Sequence, residues 1–449
     1  MTQQKNNPEL AAPLPPAAIP HEAAQRSTGY LWMLLGLLMS VTVFEGYDVT
    51  IFHLCTPDIA RTFHLNDRAV GAMASLVRLG GLAAFFLVIV SDRIGRKPIV
   101  SGTVLFYTLF TLLTALSSGL TSFTLFQSIA QLFLSAEFSL AIVMISEEFP
   151  SNLRGRGIAA LHMVGLLGVV AGGELYGIVA DSRWGWRGMY FIGIAPLLLV
   201  AFLRRGLKET ARFEAMKAAR ASTADWIGEI RATLRNTIEP IRGPCRHRVV
   251  LVALLWNCVG LVGSPAVTFF SLYAKRDHHW TSPQVGHAVV LAYVIGSFGN
   301  IVAGWALDRF GRRRTTSTFY VIGACAILAL FQTETHGAML TAMVATVFAF
   351  QGARTATATY SAELFPTEIR ATSYSLTVQL FGQIAALLTP FTIGALSKSL
   401  GGLGNAVAAV SISPIIGAIL VLRFAPETRG MTLEQLAASP PPNEDAADA

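Results

Sequence analysis

The chain says the same thing twice. Asp92-Arg93-Ile94-Gly95-Arg96-Lys97 returns as Asp308-Arg309-Phe310-Gly311-Arg312-Arg313, and Glu147-Glu148-Phe149-Pro150-Ser151-Asn152-Leu153-Arg154 returns as Glu363-Leu364-Phe365-Pro366-Thr367-Glu368-Ile369-Arg370, each at an offset of 216 residues. A constant offset across separate matches is the mark of a duplicated unit, and such a repeat limits the architecture before any single residue does.

The repeated unit is a membrane half. Hydrophobic residues make up 53% of the chain and charged ones only 14%, where a soluble domain carries about 25% charged residues; mean hydropathy is +0.53. Apolar runs of roughly 20 residues, enough to cross a hydrocarbon core of about 30 Å, lie near 29–52, 69–90, 98–118, 122–145, 156–181, 188–203, 248–272, 284–307, 315–332, 337–361, 371–396 and 401–424. That predicts twelve spans, six per copy, with halves at 29–203 and 248–424.

Cytoplasmic loops are enriched in Lys and Arg. With both termini inside, the inner segments hold 25 of the 34 basic residues and the outer loops 7, with Arg78 and Arg354 inside spans. The expected topology is therefore N-in and C-in, and the net charge of +7 calls for no nucleic acid; the low charge, short loops and modest central insert fit a bacterial inner membrane. Residues 1–28 are polar and rich in Pro and Ala, without the basic and short apolar regions of a signal peptide. The first span is thus expected to be retained.

Residues 204–247 join the halves on the cytoplasmic side, and Trp226, Ile230, Leu234 and Ile238 recur there in the pattern of an amphipathic helix at the membrane surface. The tail at 425–449 is expected to be cytoplasmic and, beyond Leu436, unstructured. Cys55, Cys245, Cys258 and Cys325 are scattered and predict buried thiols, with neither a metal set nor a disulfide framework.

Two six-helix halves, the Asp-Arg-x-Gly-Arg loops, the Glu-x-x-Pro-x-x-x-Arg runs, Leu207-Lys208-Glu209-Thr210-Ala211-Arg212-Phe213 after span 6 and Pro426-Glu427-Thr428-Arg429-Gly430 after span 12 together resemble the major facilitator superfamily (MFS), in its sugar-transporter-related branch. That branch also holds symporters of organic and aromatic acids. The resemblance implies an all-α polytopic membrane protein with inverted three-plus-three repeats in each half, no cofactor and no metal. It further implies movement of a small molecule by alternating access, and a monomer is expected because each twelve-span chain encloses its own pathway.

In such a protein the repeated loops gate the pathway: a carboxylate at one helix end and arginines on the next turn pair with each other and with the opposite half, holding the cytoplasmic side shut. The resemblance assigns this role to Asp92, Arg93, Arg96, Glu147, Arg154, Asp308, Arg309, Arg312, Glu363 and Arg370. The first loop departs from the family in carrying Val88 where the second has Gly304. A Gly at that place lets helices of opposite halves approach closely, so a looser lock is expected. Span 4 departs as well, with Gln127, Gln131 and Phe133 where relatives place an Arg and glycines.

Ionisable groups inside spans are costly and mark pathways or internal partners. Glu45 and Asp48 sit three apart in span 1 and share a helix face. Two carboxylates so placed disfavour joint ionisation, which suits a proton carrier, and the stretch Glu45-Gly46-Tyr47-Asp48 resembles the span-1 motif of aromatic-acid symporters. Glu174, among Gly172, Gly173 and Gly177, is a third proton-coupling candidate; His162, near its span's cytoplasmic start, is a weaker one. Arg354 is the first choice for a substrate-carboxylate anchor, because a guanidinium fork matches a carboxylate. Arg78 comes second, with Glu137 as its expected internal partner.

Further groups placed to line a cavity are Asn257, Tyr293, Asn300, Tyr360, Gln379 and Gln383, the last two sharing a helix face. The spacing of Gly168, Gly172, Gly173 and Gly177 predicts close helix packing, and the lack of a Gly-Pro step there speaks against drug efflux. No phosphate-binding loop, zinc-protease or nucleophile-elbow sequence occurs, so no enzyme is expected. The expectation is proton-coupled uptake of an aromatic or other organic anion. A sugar or polyol symporter is the nearest alternative, with a non-transporting membrane sensor behind it.

Overall fold

The computed structural model describes residues 27–210, 213–214, 246–365, 373 and 376–429. The connection carrying Trp226 to Ile238, Cys245, Arg370 and the tail beyond 429 lie outside the described residues. The chain folds into helices: α1 (Thr28–Leu54), α2 (Thr56–Thr62), α3 (Asp67–Ile94), α4 (Arg96–Ala115), α5 (Leu120–Glu148), α6 (Ser151–Val179), α7 (Gly185–Leu203), α8 (Arg246–Arg276), α9 (Ser282–Gly296), α10 (Phe298–Phe310), α11 (Arg312–Gln332), α12 (His336–Glu363), α13 (Ile384–Leu396), α14 (Leu403–Val410) and α15 (Ser413–Phe424).

Among the described residues, ten stretches are long and apolar enough to cross a membrane, with α9–α10 and α14–α15 each forming one. Helix α7, of 19 residues, and the shorter apolar stretch Phe381–Leu396 take the sixth and eleventh places. Twelve spans in two halves of six therefore stand as the repeat predicts. The large apolar side chains left exposed, such as Trp32, Met163, Ile178, Phe298, Ile301 and Trp305, are spread around the outside of the bundle. A soluble protein could not tolerate so much exposed apolar surface.

The local sequence sets where helices begin. The Asn66 side chain caps α3 by accepting from the Ala69 amide at 2.9 Å, and Thr281 and Gln284 form a reciprocal capping box at α9. Gly95 and Gly311 separate α3 from α4 and α10 from α11 with φ of 113° and 90°, a region that glycine enters freely.

Span 11 departs from its sequence reading. A π turn at Leu376–Leu380 and a 3-10 turn at Phe381–Gln383 precede α13, so Gln379 and Gln383 do not stand one turn apart on a regular helix. The break is held from α8: Asn257 donates through Nδ2 to the Phe381 carbonyl at 2.8 Å and accepts from the Ala385 amide at 2.6 Å. A lipid-embedded break in a helix needs such side-chain partners for its freed backbone groups.

Glycines set the helix approaches. In the first half, a Cβ on Gly46 would lie 2.1 Å from the Gly165 carbonyl oxygen, and one on Gly168 would lie 1.8 Å from that of Val43. Gly168 and Gly172 thus face α1, whereas Gly173 and Gly177 face Val290 and Pro283 of α9 in the other half. The spacing seen in the sequence serves two interfaces.

Candidate functional site

The end of the bundle carrying the repeated loops shows the duplication atom by atom. Arg96 Nη2 lies 3.0 Å from Glu147 Oε1, with Nη1 donating to the Ser91 carbonyl at 2.8 Å. In the second copy Arg312 Nη2 lies 2.9 Å from Glu363 Oε1, and Nη1 donates to the Leu307 carbonyl at 3.1 Å and reaches Asp308 at 3.5 Å. Each cluster is completed from the end of its own half. Glu209 accepts from the Arg96 amide at 2.9 Å and Thr210 donates to Glu147 at 2.7 Å; Glu427 accepts from the Arg312 amide at 2.8 Å and Thr428 donates to Glu363 at 2.5 Å.

Two carboxylates therefore cap the N-termini of α4 and α11, where unpaired amides and the helix dipole favour a negative charge. A side chain at Gly95 or Gly311 would run into them, since a Cβ there would lie 2.2 Å from Glu209 Oε2 or 2.7 Å from Glu427 Oε2. These ion pairs stay within their halves. Arg154 donates to the Phe149 carbonyl at 2.8 Å, Asp308 is 82% exposed, Arg309 is exposed and Arg93 half-buried. The Asp92 and Gln379 side chains are not described.

The halves meet firmly at the opposite end. A Cβ on Gly71 of α3 would lie 2.2 Å from the Pro390 carbonyl oxygen, one on Gly394 of α13 2.3 Å from that of Asp67, and one on Gly286 of α9 2.2 Å from that of Gly173 on α6. Lys275 Nζ of the second half lies 3.0 Å from Asp58 Oδ1 of the first, with exposures of 8% and 11%. Arg276 pairs with Asp67, which also accepts from Ser397. At the repeat-bearing end no described residue comes within 4 Å of where a Cβ on Gly304 would be. Among the described residues, the helix approach that a Gly at this position permits is not made, and Val88 packs beside the Leu34–Leu38 cluster of its own half.

Between the ends lie the buried charges. Asp48 is 1% exposed and accepts a hydrogen bond from Gln127 Nε2 at 3.3 Å. Glu45 lines an apolar crevice with Leu38, Val41, Leu134 and Phe138, and Glu137 faces the same crevice. Glu137 does not pair with Arg78. It pairs with Arg204 at 2.6 Å and accepts from Thr103, because the end of α7 turns Arg204 inward against α4, where its Nη1 donates to the Val100 carbonyl at 2.9 Å.

That leaves Arg78 reaching across to the other half, where Nη2 meets Thr268 Oγ1 at 3.4 Å while its shielded Nε has no hydrogen-bond partner among the described residues. Beside the half interface, a small cavity is lined by His53, Val267, Phe270, Val289, Tyr293 and Met343 among others, and His53 Nδ1 is shielded and has no hydrogen-bond partner among the described residues. Arg354 is exposed, with its guanidinium 5.7 Å from the centre of the Phe350 ring.

Other expected cavity residues are engaged elsewhere. Asn257 holds the span-11 break. Asn300 accepts from Thr355 at 2.8 Å, Tyr360 donates to the Pro426 carbonyl, and Gln383 is exposed, donating to the Val378 carbonyl at 3.2 Å. Glu174 is exposed and meets His287 of the other half at 3.2 Å. His162 is exposed and lies 3.0 Å from the Ile158 carbonyl. Of the cysteines described, Cys55 and Cys258 are buried, but Cys325 is exposed.

Comparison with known proteins agrees with this architecture. The chain is similar to the gallate transporter of Pseudomonas putida, at 27% identity over 83% of this chain and 86% of the relative. It is similar to the probable 4-methylmuconolactone transporter of Cupriavidus pinatubonensis, at 25% over 87% and 90%, and to a 4-hydroxybenzoate transporter of Pseudomonas putida, at 24% over 79% and 84%. Among solved structures, a D-xylose-proton symporter shares the fold with a TM-score of 0.73 at 18% identity, covering 90% of this chain and all of the other. Residues 45–439 match the family described as sugar (and other) transporter, and the chain belongs to that family of membrane transporters.

Proposed function

We propose that this transporter carries an aromatic carboxylate into the cell with protons. Arg78 carries the reading. It is a guanidinium at mid-span, with no carboxylate partner described and a shielded, unpartnered Nε. A half-buried cation inside a span without a counter-charge is costly, and an anionic ligand supplies what the protein withholds. Gallate and 4-hydroxybenzoate, named for two relatives, are aromatic carboxylates of this kind. Arg78 thereby becomes the first choice of anchor, ahead of Arg354, and Tyr293 and the apolar side chains of the neighbouring cavity are placed to face a ring.

Asp48 is the proton-coupling residue in this reading, supported by its burial beside an amide, with Glu45 as a second site. Glu174, paired with His287 at an exposed position, takes no part. The basic, repeat-bearing end faces the cytoplasm of a bacterial inner membrane, with both termini inside, and one chain forms the working unit. The structure then corresponds to the state shut toward the outside, and the Arg96–Glu147 and Arg312–Glu363 clusters are the parts that rearrange when the inner side closes.

The test is uptake of labelled 4-hydroxybenzoate and of labelled xylose into proteoliposomes, for the wild type, Arg78→Gln and Arg354→Gln. Uptake of the acid that falls at least about tenfold in Arg78→Gln, the scale of one charge-assisted hydrogen bond, supports the reading. Transport of the sugar alone, or undiminished acid uptake in Arg78→Gln, overturns it.

A further inference from the structure

At the shut end of the bundle one ammonium, that of Lys275, holds a carboxylate of the other half. Asp58 is held through both oxygens: Oδ1 lies 3.0 Å from Lys275 Nζ, and Oδ2 accepts from Tyr176 at 2.7 Å. Lys275 Nζ also reaches Tyr176 Oη at 3.1 Å and Ser282 Oγ at 2.9 Å, and Ser282 in turn donates to Asp181 at 2.8 Å. The Lys275 side chain is 8% exposed, so this is a largely desolvated contact and no surface pair of small consequence.

Asp58 and Tyr176 belong to the first half, on α2 and α6, and Lys275 and Ser282 to the second, on α8 and α9. When the outer ends separate, Asp58 keeps its tyrosine but Lys275 keeps only its serine. A cation at the mouth of the pathway is then released at the moment an anionic substrate can arrive.

We propose that Lys275 is an outer loading site for the substrate's carboxylate, a place that Asp58 fills whenever the outer side is shut. The proposal rests on the reading of the substrate as an organic anion. A ligand that binds only the outward-open state draws the equilibrium toward it by its differential affinity. Arriving substrate thus competes with Asp58 for one ammonium and helps hold the outer side open. Asp58 returns as the substrate moves inward, which closes the mouth behind it. Arg276, which gives up Asp67 in the same movement but keeps Asp277 at 2.8 Å, is not freed in this way.

The experiment is uptake of labelled 4-hydroxybenzoate by right-side-out vesicles, read as the external concentration for half-maximal rate, in the wild type, Asp58→Asn, Lys275→Gln and Lys275→Arg. Both neutralised variants loosen the same closure, and loosening alone favours the outward-open state and lowers the half-saturating concentration. A loading site separates them. Asp58→Asn should lower this concentration or leave it unchanged, Lys275→Gln should raise it about tenfold, as loss of a charge-assisted hydrogen bond does, and Lys275→Arg should stay within about threefold of the wild type because the charge remains. Equal shifts in Asp58→Asn and Lys275→Gln would make the pair a latch only and overturn the proposal. Should Lys275→Gln alone fail to reach the membrane, the double variant Asp58→Asn with Lys275→Gln decides: a half-saturating concentration about tenfold above that of Asp58→Asn supports the proposal, and one equal to it overturns it. Wild-type vesicles that take up no aromatic acid would instead sink the underlying reading of the substrate.

Discussion

Adding a single methyl at Gly286 should prop open the end of the molecule that is shut in this structure. The new Cβ would sit 2.2 Å from the Gly173 carbonyl oxygen and 3.2 Å from its carbon, and ordinary contact needs about 3.5 Å. The obstacle is backbone, so no rotamer change relieves it; α6 and α9 must part by about 1 Å. Overfilling a packed interface costs about 1–3 kcal/mol. Only the state in which these helices touch bears that cost, so the shut-to-open ratio should fall about 5–150-fold. Gly71→Ala should do the same on the other side of the bundle, where the Pro390 carbonyl oxygen lies 2.2 Å from the added carbon. Spin labels at Ser118→Cys and Thr335→Cys, on exposed loops of opposite halves, in a background with the native cysteines replaced, would report the separation by pulsed dipolar spectroscopy. Longer distances should gain population in Gly286→Ala and Gly71→Ala but not in Gly304→Ala, whose methyl meets no described residue within 4 Å. Unchanged distances in both variants would refute the argument that glycine contacts hold this end shut.

Other perturbations bear on separate parts of the account. Arg204→Met strands the Glu137 carboxylate in a buried site and should cost about 3–5 kcal/mol, seen as a large fall in melting temperature in detergent; the double variant with Glu137→Leu should recover most of it. Glu209→Ala and Glu427→Ala each remove a helix cap and should lower stability by about 0.5–2 kcal/mol, with similar losses because the two sites are duplicates; a loss confined to one would contradict the symmetry. Asn257→Leu leaves the Phe381 carbonyl and the Ala385 amide without their partner and should raise amide exchange selectively around residues 376–385; protection equal to the wild type would show that Asn257 does not hold the break.

The repeat made the halves readable because loop motifs are fixed by local backbone geometry. A turn of positive φ at Gly95 and Gly311 and an Arg reaching a Glu on the neighbouring span can be recognised without knowing the packing. The span-11 break was not readable, since its cause is Asn257, more than a hundred residues away, acting on a stretch whose composition is ordinary for a helix. Arg78 and Glu137 were placed correctly inside spans, but their partners depend on helix rotation, and Arg204 was hidden at a span end where a basic residue is commonplace. The Asp58–Lys275 contact lies outside the repeated motifs. Its one signal is that Lys275 and Arg276 are among only seven basic residues expected on the outer side, where a Lys-Arg pair ending a span calls for counter-charges.

The central claim, that a buried carboxylate in span 1 couples protons to the movement of an aromatic acid, is tested most directly by uptake driven by a pH gradient. Proteoliposomes acidic outside should accumulate labelled 4-hydroxybenzoate with the wild-type protein. With Asp48→Asn they should lose accumulation while still exchanging internal for external acid, because the carboxylate that carries the proton is gone and the binding site is not. Accumulation by Asp48→Asn equal to that of the wild type, or wild-type uptake indifferent to the gradient, would contradict the account.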